Sequence, residues 1–270
     1  MPELPEVETL ARYLRRRLVG RTIRRVQILT PATIRSPRPD RFTRALRGRT
    51  VQGIDRRGKY VLVRLDRGLV LVIHLRMTGD LVIMPRRRLL HPHTRVVLGF
   101  GGSDLRFEDQ RRFGHMDLLP ASAVPYFEPL QRIGAEPLDG AFTPERFRAI
   151  LKRRRGALKP LLLRQEVVAG IGNLYADEIL FQARLHPGRR VESLRPQEVR
   201  RLYLATRRVL RRAVRRLARA GEPVGALLAV REEGGACPRC GRLLAATRMG
   251  GRATYFCPSC QRHAQAGRRV

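Results

Sequence analysis

The first residues of the chain offer an uncommon nucleophile. We expect the initiator methionine to be removed, because proline at position 2 has a small side chain, and the chain would then begin with a free prolyl amine. An α-amino group has a pKa of about 7.7–8, so much of it is neutral near pH 7. As a secondary amine, Pro2 would form an iminium ion with a sugar C1′ or an aldehyde, and Glu3 could move protons beside it. The alternative is a solvated N-terminus whose proline starts a helix.

A helix must position this amine. Apolar residues recur at helical spacing at Val7, Leu10, Leu14 and Leu18, and Gly20 ends the run. The N-terminus of a helix carries a partial positive charge, which disfavours a protonated amine. The predicted helix would therefore help to keep the nucleophile neutral.

The charge of the chain points to a polyanionic partner. The chain has 270 residues, enough for two domains, and a formal net charge of +33. Nucleic acid is the leading partner. A membrane surface is disfavoured because the arginines are spread along the whole chain. No apolar run is long enough to cross a membrane, and the N-terminus carries acids. We therefore expect an intracellular protein.

The hydrophobic pattern predicts an α+β chain with an antiparallel β-sandwich, flanked by helices, followed by a helical region. Turn signals separate short β-rich runs, which are Thr22–Leu29, Val51–Asp55, Tyr60–Leu65, Leu69–Leu75, Leu81–Met84, Val96–Phe100, Asp104–Glu108 and Met116–Leu119. A barrel is the alternative architecture. Later segments have helical spacing, namely Pro144–Arg155, Ala157–Gln165, Asn173–Ala183 and Pro196–Ala220, and an earlier helix is expected at Pro39–Leu46.

These patterns divide the chain into five parts. Residues 1–120 form the sandwich domain, and the Pro- and Gly-rich residues 121–143 form a linker. Residues 144–235 form the helical domain. Residues 236–262 contain all four cysteines, and residues 263–270 form a basic tail.

The four cysteines predict a metal site. Cys237 and Cys240 form one C-x2-C pair, and Cys257 and Cys260 form a second pair after 16 intervening residues. This spacing is typical of structural zinc, and four thiolates leave no open coordination position. We expect one structural Zn²⁺ on a β-hairpin and no organic cofactor. A redox pair is the weaker alternative.

A glycine-rich turn between two helices offers an anion site. Gly170 and Gly172 allow close backbone approach, and Asn173 is expected to cap the next helix, whose N-terminus suits a phosphate. Lys159, one helix earlier, could reach the same phosphate. An ordinary helical hairpin would show the same residues.

Four further residues of the sandwich region are candidate site residues, and three of them could act on an extruded base. Lys59 starts a strand, and taken alone it is a surface lysine. Met77, Arg111 and Phe113 lie in loops and could fill the hole that a flipped base leaves. Met77 and Phe113 would otherwise be core residues.

Six motifs together resemble the formamidopyrimidine-DNA glycosylase family, the Fpg/Nei helix–two-turn–helix repair enzymes. They are Pro-Glu-Leu-Pro-Glu-Val-Glu at 2–8, Arg-Arg-Gly-Lys-Tyr at 56–60, His-Leu-Arg-Met at 74–77, Asp-Gln-Arg-Arg-Phe-Gly at 109–114, Gly-Ile-Gly-Asn-Leu-Tyr-Ala-Asp-Glu at 170–178, and the terminal four-cysteine finger. The resemblance covers nearly the full length. It implies a bifunctional DNA glycosylase/AP lyase that removes oxidised purines from double-stranded DNA by β,δ-elimination. The resemblance also implies a monomer in a bacterial cytoplasm, associated with the nucleoid. The alternatives are a preference for oxidised pyrimidines or abasic sites, and a non-catalytic DNA-binding protein.

The resemblance also implies residue roles. Pro2 would be the Schiff-base nucleophile, Glu3 the acid that helps to open the sugar, and Glu6 its support. Lys59 would assist β-elimination and bind a phosphate, and Arg252 would contact phosphates and assist δ-elimination. Three residues would fill the void and probe the orphaned base, namely Met77, Arg111 and Phe113. Four would grip the DNA backbone, namely His93, Arg154, Lys159 and Asn173.

One segment departs from the family pattern. Fpg enzymes carry a Gly-Gly-Ser/Thr turn and a flexible loop between the long helix and the finger, and that loop closes over a flipped 8-oxoguanine. Here only residues 221–236 separate the predicted helix from Cys237, and they contain neither feature. The resemblance therefore leaves the choice among oxidised bases open.

Overall fold

A computed structural model describes residues 2–220 and 225–262. The chain divides into two compact units, Met1–Arg132 and Ile133–Val270. The division falls inside the segment expected to be a linker, which carries a 3-10 helix at Ala121–Tyr126 and the short helix α3 at Glu128–Gln131. Removal of Met1, residues 221–224 and the basic tail at 263–270 lie outside the described residues.

The first unit is an antiparallel sandwich of two sheets. Its strands are β1 (Arg25–Ile28), β2 (Ile34–Ser36), β3 (Val51–Arg57), β4 (Tyr60–Leu65), β5 (Leu69–His74), β6 (Gly79–Pro85), β7 (Thr94–Gly99), β8 (Ser103–Asp109) and β9 (His115–Pro120). One sheet has the order β2-β9-β5-β4-β3 and the other β1-β7-β8-β6. The inward residues of both sheets share one core, which includes Ile54, Leu71, Val96 and Phe107.

Two helices flank the sandwich, α1 (Leu4–Leu18) and α2 (Pro39–Leu46). Val7, Leu14 and Leu18 of α1 are buried in the sandwich core, as their spacing predicts. The sequence patterns missed β2, because it is only three residues long and pairs with β9 in parallel, so no hairpin signal marks it.

The second unit is helical. Its helices are α4 (Pro144–Lys152), α5 (Leu158–Leu163), α6 (Asn173–Ala183) and α7 (Pro196–Ala220), with a 3-10 helix at Val191–Ser193. Helix α6 is buried on all sides and packs against α5, α7 and the terminal hairpin. A helix with no polar face is typical of the centre of a bundle.

The terminal hairpin consists of β10 (Ala245–Met249) and β11 (Arg252–Phe256). Gly250 and Gly251 both have positive φ at its two-residue turn, a conformation that glycine adopts without strain. A 3-10 helix at Leu228–Val230 precedes it. The predicted α+β fold, with a sandwich, a helical domain and a finger hairpin, is confirmed. Within the described residues, no helix is both long and apolar enough to cross a bilayer.

Candidate functional site

Glu3 lies at the N-terminal end of α1, directly after Pro2. Its side chain is 2% exposed, and Glu6 Oε2 accepts a hydrogen bond from the Glu3 backbone N–H at 2.9 Å. The Glu3 carboxylate accepts in turn from the Glu6 backbone N–H, so the two acids form a reciprocal capping box. This arrangement fixes the carboxylate of Glu3, the residue that directly follows Pro2, and Glu6 supports it through the backbone.

An ion pair brings the β3–β4 turn to this end of α1. Arg56 Nε donates to Glu8 Oε2 at 2.9 Å, and the Arg56 side chain is 6% exposed. Nearer the C-terminal end of α1, Arg15 Nε donates to Ile54 O at 2.7 Å. The strand therefore runs towards the N-terminus of α1, and the turn that follows Arg56 carries Lys59, which is 8% exposed.

The strand register gathers the remaining motif residues at the same end of the five-stranded sheet. Tyr60 pairs with His74, and His74 pairs with His115. Lys59 directly precedes Tyr60, Met77 follows His74 by three residues, and Phe113 precedes His115 by two. Motifs that are distant in sequence thus meet at one end of this sheet.

Asp109 fixes the two loops that carry Met77 and Phe113. Its buried carboxylate accepts hydrogen bonds from the Thr78 hydroxyl and from the backbone N–H groups of Arg111 (3.2 Å) and Gly114 (2.7 Å). Arg111 N–H also donates to Thr78 Oγ1 at 3.1 Å. The Asp109 carboxylate thereby joins the two loops by accepting hydrogen bonds from both. The sequence alone did not indicate this role.

Two arginines with a strained backbone conformation precede Met77 and Phe113, which are expected to fill the space of a flipped base. Arg76 (φ 56°) and Arg112 (φ 58°) both adopt the left-handed conformation, and each directly precedes Met77 or Phe113. Non-glycine residues rarely adopt it, and it is concentrated at functional sites. Phe113 is 53% exposed, and the Arg111 guanidinium lies 4.8 Å from its ring. Phe113 is therefore not a core residue, and Met77 is half-buried.

His74 and His115 are neutral in this structure. Their rings stack with centroids 5.5 Å apart. Burial, assisted by the charge of Arg76, lowers the pKa of His74 to about 3, and burial with the charge of Arg35 lowers the pKa of His115 to about 4. A neutral His74 can accept a hydrogen bond, and its Nδ1 accepts one from the backbone N–H of Arg76 at 3.0 Å. His74 thereby holds the turn before Met77.

His93 lies at the same end of the second sheet. Its carbonyl oxygen accepts from Asp109 N–H at 2.9 Å, so it adjoins the loop that carries Arg111. Its ring lies 5.1 Å from that of His91. All of the predicted first-unit residues therefore share one end of the sandwich.

Asn173 starts α6, but it is not the cap. Gly172 is the N-cap residue, with extended backbone, and Asn173 is the first helical residue. The Asn173 Oδ1 atom is buried without a hydrogen-bond partner among the described residues. Gln165 holds the preceding turn, since its amide donates to Ile171 O at 2.8 Å and accepts from Gly170 N–H at 2.9 Å. The role of Gln165 was missed from sequence.

The structure gives Lys159 a different role from the predicted phosphate contact. Its side chain is fully buried, and its Nζ lies 2.7 Å from Asp177 Oδ1, 2.8 Å from Ala253 O and 2.8 Å from Thr254 Oγ1. The contacts with Ala253 and Thr254 are hydrogen bonds to the hairpin, and the contact with Asp177 is a buried ion pair. The prediction missed this because a lone lysine near a helix start gives no sign of a buried partner.

Arg231 completes this buried cluster. Its Nε and a terminal nitrogen donate to Asp177 Oδ2 at 3.0 and 2.8 Å, and its guanidinium lies 4.7 Å from the Tyr255 ring. Burial raises the pKa of Asp177, while Lys159 and Arg231 oppose that shift. The cluster joins α5, α6 and the hairpin.

Arg252 is exposed at the start of β11, just after the two-glycine turn. Arg154 is partly buried in the segment between α4 and α5. Arg252 forms no ion pair with the acids of residues 2–220 and 225–262. Its guanidinium is therefore exposed to solvent, and its contact with a phosphate stays a prediction.

The four cysteine sulfurs form a site that fits zinc. All lie within 4.8 Å of one another, with Cys237 and Cys260 4.0 Å apart and Cys240 and Cys257 3.6 Å apart. Ligands 2.3 Å from a tetrahedral zinc would be separated by about 3.8 Å. A disulfide needs about 2.05 Å, so the sulfurs are placed for a shared metal rather than for a bond.

Family models match each part of this architecture. The formamidopyrimidine-DNA glycosylase N-terminal domain matches residues 1–116, the H2TH domain of the same enzymes matches 133–221, and a zinc finger found in FPG and IleRS matches 234–262. The chain belongs to the formamidopyrimidine-DNA glycosylase family. The predicted family and the predicted zinc finger are both confirmed.

Individual relatives in the family agree over nearly the whole chain. The formamidopyrimidine-DNA glycosylase of Pelotomaculum thermopropionicum is 40% identical, covering 97% of this chain and 99% of the relative, and that of Symbiobacterium thermophilum is 45% identical, covering 97% and 89%. The structure of Lactococcus lactis Fpg with abasic-site DNA is 32% identical, with a TM-score of 0.89, covering 97% of this chain and all of that one.

Proposed function

We propose that this protein is a bifunctional DNA glycosylase/AP lyase of base excision repair. It acts on double-stranded DNA with oxidised purines, formamidopyrimidines above all, in the cytoplasm and on nucleoid DNA. The relatives are named for glycosylase activity on formamidopyrimidines, and solved Fpg structures contain abasic-site DNA and Fapy-dG DNA. The observation that carries the proposal is the buried Glu3, which directly follows Pro2 and is held by its reciprocal hydrogen bonds with Glu6.

The chemistry follows from this pair. The neutral amine of Pro2 attacks the sugar C1′ and the glycosidic bond breaks, so that the base leaves with the bonding electron pair and a proton equivalent to the one that the amine loses. Glu3 then donates a proton to the ring oxygen as the C1′–O4′ bond breaks, and the iminium ion forms. The iminium ion draws electrons from C1′ and acidifies the C2′–H bond. Loss of that proton expels the 3′ phosphate, and a second elimination expels the 5′ phosphate.

The remaining predicted residues support these steps. Lys59 is placed at the Pro2 end of α1 by the Glu8–Arg56 ion pair, so its ammonium can bind a phosphate and assist β-elimination. Three residues fill the space that a flipped base leaves in the duplex, namely Met77, Arg111 and Phe113. Extrusion of that base costs roughly a few kcal/mol. His93 at the sandwich, and Asn173, Arg154 and Arg252 in the second unit, hold phosphates.

Asn173 is placed for this role because it is the first residue of α6, and the N-terminus of a helix favours an anion. Lys159 acts through the hairpin and not on a phosphate.

Borohydride trapping on abasic-site DNA tests the proposal. Reduction of the iminium ion leaves a covalent protein–DNA complex, which the wild-type protein should form. Pro2→Gly should lose most trapping and base excision but keep DNA binding, and a protein that retains Met1 should behave in the same way. A Met1-retaining protein that cleaves abasic DNA at the normal rate would refute the proposed nucleophile.

The competing function is that of a non-catalytic DNA-binding protein. It predicts binding without any trapped complex for the wild-type chain. The buried Glu3 beside Pro2 favours catalysis, because binding alone does not require a desolvated carboxylate at this position.

A further inference from the structure

Helix α7 carries a row of arginines that the proposed function does not use. Eight of them are exposed, namely Arg200, Arg201, Arg208, Arg211, Arg212, Arg215, Arg216 and Arg219. No acidic residue lies between Glu198 and Glu222 to offset them. The ninth arginine of this stretch, Arg207, faces inward and donates to Phe142 O at 2.8 Å.

This row is the longest run of arginines on one helix of the described residues. Some exposed arginines elsewhere pair with acids, as Arg12 does with Glu8 at 2.6 Å and Arg190 with Glu192 at 2.6 Å, whereas others, such as Arg16 and Arg24, form no ion pair among the described residues. No such pair forms for the eight arginines with any acid of residues 2–220 and 225–262. Like charges one helical turn apart destabilise a helix, so an external anion would stabilise α7.

The row continues into a basic cavity. The cavity has a volume of about 520 Å³ and lies between the C-terminal end of α6, the start of α7 and the finger. Six arginines line it, namely Arg184, Arg189, Arg195, Arg201, Arg239 and Arg262, with Glu198 as the one acid. We name the eight exposed α7 arginines and this cavity the arginine track.

The arginine track lies away from the predicted phosphate contacts of the same unit. Asn173 is at the N-terminal end of α6, whereas the cavity is at its C-terminal end, about 16 Å along the axis. The opposite face of α7 is buried through Leu202, Thr206 and Leu210. The track therefore cannot hold the same phosphates that Asn173 holds.

We infer that the arginine track binds the sugar–phosphate backbone of a second DNA duplex, independently of sequence. From Arg200 to Arg219 the helix spans about 28 Å, a length over which duplex DNA presents about 17 phosphates. Arginine suits this partner because its planar guanidinium binds phosphate with two hydrogen bonds. A protein that holds two duplexes can transfer between DNA segments without full release.

The test measures how many duplexes one chain binds. Undamaged 25-base-pair duplexes with two different fluorophores are titrated with the full chain, and energy transfer reports both duplexes on one protein. The track variant replaces four arginines by glutamine, namely Arg208, Arg211, Arg212 and Arg215. The matched control replaces four exposed arginines of the first unit by glutamine, namely Arg16, Arg24, Arg41 and Arg47, which gives the same net charge.

The wild-type protein and the control should bind a second duplex, with a Kd of about 10⁻⁴–10⁻⁶ M at physiological salt. The affinity of the track variant for the second duplex should fall at least tenfold. The slope of log K against log salt concentration for that binding step should become shallower by about three. Arg→Lys at the same four positions should retain most second-duplex binding. The thermal stability of the glutamine track variant should match or exceed that of the wild type, because the repulsion between the arginines is relieved.

Three outcomes would overturn the inference. One is an unchanged second-duplex affinity in the track variant, and another is an equal loss in the control, which would indicate general charge alone. The third is binding of anionic vesicles, but not of a second duplex, through the track. Binding of undamaged duplex does not require catalysis, so these outcomes are distinguishable from failure of the proposed glycosylase chemistry.

Discussion

Lys159 Nζ lies 2.7 Å from Asp177 Oδ1, and both side chains are fully buried. Lys159 also donates to Ala253 and Thr254 of the terminal hairpin, whose exposed Arg252 is two residues before Thr254. The buried pair therefore fixes the hairpin that carries Arg252, although neither side chain is exposed to solvent. Removal of one partner would leave the other charge buried and unpaired.

Lys159→Ala should weaken DNA binding by loss of structure and not by loss of a phosphate contact. Breaking a buried ion pair costs about 3–5 kcal/mol, so the free energy of unfolding of the second unit should fall by that order. The slope of log K against log salt should stay near that of the wild type, as thermal melts and binding at several salt concentrations would show.

Arg252→Ala is the matched comparison for Lys159→Ala. It should leave the melting temperature unchanged and reduce the salt slope by about 0.9, the value of one phosphate contact. If Lys159→Ala lowers the slope while leaving stability intact, Lys159 contacts DNA after all.

The Glu8–Arg56 ion pair should matter for lyase activity although neither residue touches the substrate. Arg56→Met would release the β3–β4 turn and displace Lys59. A misplacement of about 1 Å can cost about 100-fold in rate, so strand cleavage at abasic sites should fall by up to that factor. Arg12→Met removes the exposed partner of Glu8 and should change the rate less than twofold, as exposed pairs contribute about 0.2–1 kcal/mol. Equal rates for the two variants would contradict the positioning role.

Zinc removal should affect the second unit alone. Cys237 and Cys257 pack with Phe181 and Leu244 in a small core, so loss of the metal should loosen the hairpin that carries Arg252. Cys→Ser at any of the four positions should bring zinc content near zero and weaken DNA binding. The first unit should stay folded, because its core is separate. Metal analysis should find about one zinc per wild-type chain, and a disulfide detected by mass spectrometry would contradict the site.

The buried histidines should make the first unit sensitive to mild acid. The pKa values of His74 and His115 in the folded chain are about 3 and about 4, below the ordinary value of 6.5. Their stabilising contribution is complete above about pH 6.5 and is lost as pH falls towards these values, because only the unfolded chain takes up protons. His74→Asn with His115→Asn should flatten the stability curve between pH 6.5 and 4. Parallel curves for variant and wild type would disprove the assignment.

The sequence predicts most of the fold because its patterns are local. Helices α2, α6 and α7 and strand β4 begin and end as the periodicity indicates. The zinc ligands are equally local, since two short pairs with fixed spacing define them. Such features need no knowledge of distant contacts.

The positioning residues could not be predicted in the same way. Asp109, Glu8 and Gln165 each join segments that only folding brings together, and their residue types are common on any surface. Lys159 shows the opposite error, since a position beside a predicted phosphate site suggested a contact that burial prevents. Burial and partners decide what a polar side chain can do, and neither is visible in the spacing.

The segment after α7 should determine which lesions are removed well. Glu178 accepts hydrogen bonds from the backbone N–H groups of Ala226 (3.1 Å), Leu227 (2.8 Å) and Leu228 (3.3 Å). A Cβ atom on Gly225 would lie 2.6 Å from the Glu178 carboxylate, so the backbone is held tightly from there. Arg231 is fixed to Asp177 a few residues later. The short connection to Cys237 is thus anchored to α6 at two points.

The sequence has only 16 residues between the end of α7 and Cys237, and the described part of them is anchored to α6. We therefore expect no counterpart of the loop that the family resemblance places over 8-oxoguanine. A flipped base without that lid loses hydrogen bonds to its polar edges, and selection weakens where such edges are not bound. Pro2 and Glu3 come from the other end of the chain, so the sugar chemistry should persist. We therefore expect 8-oxoguanine to be removed at least tenfold more slowly than a formamidopyrimidine, while pre-formed abasic sites are cleaved at full rate.

Single-turnover kinetics on matched duplexes, each with one lesion opposite cytosine, would measure this order. The abasic duplex serves as the internal control, because its cleavage needs no base recognition. Another loop, such as Leu89–Thr94, could cover the base instead, and Leu89 is 89% exposed there. In that case 8-oxoguanine would be removed as fast as the formamidopyrimidine. Deletion of Leu89 and Leu90 would then slow the removal of 8-oxoguanine but not that of the formamidopyrimidine. Equal rates for the two lesions in the wild-type protein would refute the proposed loss of discrimination.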